Sequence, residues 1–179
     1  MLSLEQILLY LPAVAVIIAI PGPDMLMSLS RGLTQGPSAG IAHALGAGLG
    51  IMAHSLLAAL GVSALLTASE TAFCAMKLIG GVYLIYLGIL SWRNASAVAS
   101  AASQKAPWMT LFWRGFMSNL LNSKVALFVL AFMPQFVRSG DIGASSPFVQ
   151  MLLLGAIFRC SRSSRTGHSV RWRVASADG

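Results

Sequence analysis

Asp24 is the residue whose type and place first ask for a chemical explanation. It follows Pro21, Gly22 and Pro23, and this Pro-Gly-Pro-Asp run interrupts an apolar stretch, with uncharged residues from Ile7 to Ile20 before it and Met25, Leu26 and Met27 after it. A carboxylate near the middle of a spanning segment costs about 2.5–3.5 kcal/mol on insertion scales, so it marks a functional site with a partner. Pro21 and Pro23 withhold two backbone donors and Gly22 has no side chain, which unwinds the helix and lets a small ligand reach the backbone. Pro23 also suits the first turn of a second half-helix. The free N–H groups and positive dipole end there would take a ligand carboxylate, while Asp24 would take an ammonium. An α-amino acid carries both charges. The alternative is an ordinary Pro-Gly turn closing a short first helix, with Asp24 at the water interface.

Lys124 is the second candidate. An apolar run from Val125 to Met133 follows it, and Asn122 and Ser123 beside it can hydrogen-bond an ammonium or a substrate. Lys124 would neutralise Asp24 across a helix interface, or would instead snorkel to the membrane surface. Asn119 lies one turn before Asn122, on a neighbouring face. His43 and His54 fall on nearly one face of their segment, where a hydrogen-bonded polar role in a helix bundle is favoured over a proton pathway. Cys74 and Cys160 have no metal-ligand or redox spacing. No Ser-His-Asp arrangement, ligand cluster or phosphate-cradling loop is present, so the expectation is a protein that is not an enzyme, with no catalytic residues, metal or cofactor.

Positioning these residues requires spanning helices. Hydrophobic residues make up 56% of the 179 and charged residues 9%, against about 25% charged in soluble domains. Ile7 to Ile20 is too short to cross a ~30 Å hydrocarbon layer at ~1.5 Å per residue, but Ile7 to Ser30 taken together is long enough. The fold expected is therefore all-α: a polytopic transmembrane bundle whose first helix is broken at Pro-Gly-Pro-Asp. Five apolar segments can be drawn, at Leu4 to Ser30, Ala39 to Leu66, Phe73 to Trp92, Leu111 to Val137, and Pro147 to Phe158, the fifth incomplete. Gly46 and Gly50 make a GxxxG spacing in the second, and Ala42 extends that face, so a neighbouring helix can approach closely. Trp92, Trp108 and Trp113 read as interfacial anchors. Arg31, Arg93, Lys105 and Arg114 lie around the connections after segments one and three, against Lys77 and Arg138 on the other face, which places those connections in the cytoplasm and the N-terminus outside.

The net charge of +7 is not a nucleic-acid signal. Five of the 12 basic residues, Arg159, Arg162, Arg165, Arg171 and Arg173, lie after Phe158, and most of the others flank apolar runs. The expected organisation is a transmembrane domain over 1–158 and a basic, disordered tail over 159–179. The abrupt change of texture after Phe158 suggests translation in a different reading frame; a basic tail that binds anionic lipid is the alternative. The bilayer is the one partner that composition demands.

Taken in order, Pro21-Gly22-Pro23-Asp24, the Gly-rich second segment, the Lys77 to Gly88 stretch with Gly80-Gly81, Tyr83 and Tyr86, and the fourth segment with Asn122-Ser123-Lys124 and Pro134-Gln135-Phe136 resemble the LysE/RhtB family of amino-acid exporters over about residues 4–157. The resemblance implies a multi-pass secondary transporter of the bacterial inner membrane. It would export amino acids or derivatives such as threonine, homoserine or lysine, driven by the proton gradient and acting as a homodimer. Pro21, Gly22, Pro23, Asp24, Asn122 and Lys124 would then bind substrate. Two departures stand out. Ser123 occupies the place where the family has proline, which predicts a softer second helix break, and the end of segment five and a sixth segment are missing. The alternative reading is thus a truncated, non-functional fragment of such an exporter.

Overall fold

The computed structural model describes residues 2–19, 22–69, 105–138 and 145–175, with scattered positions between 71 and 89; the side chains of 63–68 and 164–175 fall outside the description. All regular structure among these residues is helical. The helices are α1 (Leu4–Ala19), α2 (Pro23–Gln35), α3 (Pro37–Ala68), α4 (Trp108–Leu120), α5 (Ser123–Leu127) and α6 (Pro147–Ala175). Helix α5 runs on through a π turn at Phe128–Phe132 and a 3-10 turn at Met133–Phe136. Pro134 gives the physical reason for that irregular end, because it has no N–H to return to the carbonyl one turn earlier.

This is an all-α membrane bundle. Pro37–Val62 is one helix long and apolar enough to cross a bilayer, and two bent pairs match that length and composition when each is taken as one span. The first pair is α1 with α2, bent by 61°, so the first apolar segment is broken as its sequence predicts. The second is α4 with α5 and its continuation, bent by 55°. Here the structure departs from expectation: without proline at position 123, the second break is nearly as sharp as the first. Asn122 supplies what proline does not, holding an extended backbone (φ −80, ψ 99) and accepting a hydrogen bond from the Lys124 amide. A side-chain cap ends one helix and starts another without removing a donor.

Helix α3 is the central element and packs on α2, α4 and α6. Small residues set how close its neighbours come. A Cβ at Gly46 would lie 1.8 Å from the Phe112 carbonyl oxygen, and one at Gly115 would lie 2.0 Å from that of His43, so the α3 and α4 backbones touch on both sides. Ala42, fully buried, continues this face. The Gly46 and Gly50 spacing thus does what it predicts, since without a side chain the helix surfaces gain dispersion contacts directly. On the opposite side, a Cβ at Gly155 would meet Ser55 Oγ at 2.1 Å, which brings α6 against α3.

Aromatic and aliphatic side chains join α1, α5 and α6 around α3. Tyr10, Phe128 and Phe158 are buried at the centre of this cluster with Ile51, Met133, Met151 and Leu154. The Tyr10 hydroxyl donates within hydrogen-bonding reach of the Leu154 carbonyl at 3.2 Å and of Met133 Sδ at 3.3 Å. At one end, Ser3 and Gln6 form a reciprocal cap on α1. The Gln6 amide then donates to the Phe136 carbonyl and to Gln150, which itself bonds the backbone of Arg138 and Ser145. Leu8, Leu9, Leu56, Leu57 and Leu60 stay exposed, as suits faces whose solvent is lipid. Trp108 and Trp113 are also half exposed, while Trp92, Lys77, Gly80, Tyr83 and Gly88 lie outside the described residues.

Helix α6 corrects the expectation of a disordered tail. It does not stop at Phe158 but stays helical to Ala175, carrying Arg159 and Arg162 with it. The fifth segment borrows charged residues, and one of these charges finds a partner inside the bundle.

Replacing Gly46 by alanine forces a backbone clash and costs about 1–3 kcal/mol or more, as overpacking does. Gly61→Ala, with nothing within 4 Å of its Cβ, is the control. Thermal unfolding in detergent should show a clear drop for the first and none for the second.

Candidate functional site

Two helix breaks meet at one carboxylate. Gly22 caps α2 in an extended conformation and Pro23 opens it, with the amides of Met25 and Leu26 both returning to the Gly22 carbonyl at 3.1 Å. That geometry turns Asp24 inward, where it has no solvent exposure. On the facing segment, α4 ends at Leu120 and Asn122 starts α5. The Asn122 side chain serves both breaks: its Oδ1 accepts from the Lys124 amide at 3.1 Å, and its Nδ2 donates to Asp24 Oδ1 at 3.3 Å. Asn119 Nδ2 donates to Asp24 Oδ2 at 2.8 Å. Asn119 and Asn122 reach the same carboxylate because the chain turns at Leu121, which overrides the neighbouring-face placement of a continuous helix. Gly22 leaves room for this pairing, since a Cβ there would sit 3.1 Å from Asp24 Oδ1 and 3.5 Å from Asn122 Nδ2.

The charge partner of Asp24 is Arg162, whose guanidinium donates to Oδ2. Lys124, the partner expected, lines the same small cavity with Ile18, Gly22, Met25, Phe158 and Arg162. Of the six residues singled out for binding, the structure brings Gly22, Asp24, Asn122 and Lys124 to this cavity and uses Pro23 to open the helix that carries Asp24. Pro21 lies outside the described residues.

Behind the carboxylate, Ser28 Oγ donates to the Asp24 carbonyl at 2.8 Å and lies 2.9 Å from His43 Nδ1. The serine proton is committed to the carbonyl, so the pairing calls for the proton on His43 Nδ1. His43 Nε2 is then a buried acceptor with no hydrogen-bond partner among the described residues. Sequence reasoning did not assign Ser28 or Arg162 to the site. For Arg162 a signal exists: Met151, Leu154 and Phe158 are buried at helical spacing, and residue 162 falls one turn further along that face. Treating the basic run as a tail concealed it.

Asn122 carries both a cap and a carboxylate contact. Asn122→Ala should therefore cost about 1 kcal/mol for the cap and a further ~1–3 kcal/mol for the buried acceptor left short of a donor. Thermal unfolding in detergent should show a larger loss for Asn122→Ala than for Asn119→Ala. Equal losses would mean that the cap does not hold the break.

The chain is similar to several bacterial membrane proteins. It is 32% identical over 165 residues to the uncharacterized membrane protein YrhP of Bacillus subtilis, covering 86% of this chain and 76% of that one. It is 30% identical to the leucine efflux protein of Klebsiella pneumoniae, over 82% of this chain and 69% of the relative. With the homoserine/homoserine lactone efflux protein of Salmonella typhimurium it shares 31% identity, over 75% and 64%. No solved structure matches. The family model for LysE type translocators matches residues 15–161, a stretch that contains both helix breaks, Asp24, Asn119, Asn122 and Lys124; the chain belongs to the LysE type translocator family.

Proposed function

We propose that this chain exports amino acids or their derivatives across the bacterial inner membrane, with Asp24 holding the substrate ammonium. The single observation that supports this most is a fully buried carboxylate at the junction of two half-helix N-termini, framed by two asparagine amides. A buried carboxylate in that frame favours a cation, while the positive dipole end at the start of α2, with Lys124, favours a carboxylate. Asp24 and Lys124 line one cavity, so both chemistries face the same space. The names of the leucine and homoserine efflux relatives fit this reading. Nothing in Asp24 or Lys124 reads a side chain, so this part of the site recognises what amino acids share.

Proton coupling is the finer part of the proposal. His43, through Ser28, is linked to the backbone of the residue that would hold the ammonium, and its Nε2 is available to a proton. Proton occupancy there would alter the polar environment of Asp24, whose other charged neighbours are Arg162 and Lys124.

Cells loaded with leucine or homoserine dipeptides should accumulate less free amino acid when they make this chain. Asp24→Asn should reduce the export rate at least about tenfold, the effect of losing a charge-assisted contact worth ~1.4 kcal/mol or more. Export by Asp24→Asn at the rate of the unaltered chain would remove the proposal. In proteoliposomes, His43→Gln should retain amino-acid exchange but lose its response to an imposed pH gradient; an unchanged response would remove the proton-coupled part alone.

A further inference from the structure

We propose that Arg162 is a built-in occupant of the Asp24 site, which it holds closed. The inference rests on reading Asp24 as the ammonium site, and the geometry carries it further. Asp24 Oδ2 receives the Arg162 guanidinium, a cation in the position that a substrate ammonium would need. The arginine side chain is only 14% exposed, so it is drawn into the bundle and does not lie along its surface.

The shape of the space around it supports the same conclusion. One cavity of ≈ 20 Å³ lies on the side of Ile17, Ile18, Asn122 and Lys124. A second of ≈ 10 Å³ lies on the side of Ser28, Ala47, Gly48 and Ile51. Asp24, Met25 and Arg162 belong to the walls of both, so the arginine lies where the two spaces meet. Each holds about one water at most. Even a small amino acid needs several times that room. Withdrawal of the guanidinium, on this proposal, opens one to the other in front of Asp24.

Withdrawal requires a local movement rather than unfolding. Arg162 sits on α6 four residues beyond Phe158, the last aromatic of the buried cluster among the described residues. Arg159, a turn earlier, is exposed and lies against the Gly48 side of α3, where a Cβ would meet its Nε at 3.1 Å. A substrate ammonium and the guanidinium then compete for one carboxylate, and loading the site means displacing an internal cation.

The test reads access to the site directly. In a background with Cys74→Ser and Cys160→Ser, a cysteine placed by Met25→Cys faces both cavities. Its labelling by a quaternary-ammonium methanethiosulfonate, on monodisperse protein in detergent, should be about tenfold faster with Arg162→Gln, as when a fractionally open state becomes dominant. Asp24→Asn should speed labelling as well, because it releases the guanidinium from its anchor, and Arg162→Lys, which keeps the cation, should stay within about twofold of the parent. Equal rates in the parent, Arg162→Gln and Asp24→Asn would overturn the closure whatever the export assay shows. Faster labelling with no export by either the unaltered chain or Arg162→Gln would leave the closure standing and overturn the export reading. Faster labelling with faster export by Arg162→Gln supports both.

Discussion

A buried carboxylate that must be satisfied from several sides is the constraint on which the rest of this structure depends. Asp24 has no exposure, and the low-polarity surroundings that make it costly also make each donor to it valuable. Three side chains from three other helices answer it: Asn119 at the end of α4, Asn122 at the start of α5, and Arg162 on α6. To bring them there, α2 must start at Gly22 and the facing segment must turn at Leu121. The breaks are thus not defects in spanning helices but the means by which backbone and side-chain polar groups reach one point.

The packing around that point is close on both sides of α3. Toward α4, helix α3 presents Gly46 against the Phe112 carbonyl and receives Gly115 against its own His43 carbonyl, a backbone-to-backbone contact that leaves no space for adjustment. Toward α6, the contact is close where Gly155 meets Ser55 and where Phe158 packs on Phe128. Arg162 follows Phe158 by one turn on the same face of α6. The carboxylate thus lies between α3, whose Ala44, Ala47, Gly48 and Ile51 line one side of the space, and α6, which brings Arg162 to it.

Much of this was legible in the residues. Apolar run lengths gave the all-α membrane bundle, and Pro-Gly-Pro-Asp located the first break because proline and glycine act on the backbone directly. The close approach of helices at Gly46 followed from small-residue spacing alone. What could not be read locally depended on tertiary partners. Asn122 has the same composition signal as any polar residue in a loop, and only its simultaneous bonds to the Lys124 amide and Asp24 show that a cap replaces proline in making the second break. The role of Arg162 was hidden differently, since charge density after Phe158 outweighed the helical register that continues through it. The register was the better guide.

Recognition of an amino-acid ammonium by Asp24 is open to a direct binding measurement. Equilibrium binding of radiolabelled leucine to the purified chain in detergent, competed by unlabelled leucine and by its α-hydroxy analogue, tests this most directly. If Asp24 holds the ammonium, leucine competes and the hydroxy acid, lacking the ammonium, does not, and Asp24→Asn loses this discrimination. Competition by the hydroxy acid as strong as that by leucine would contradict it.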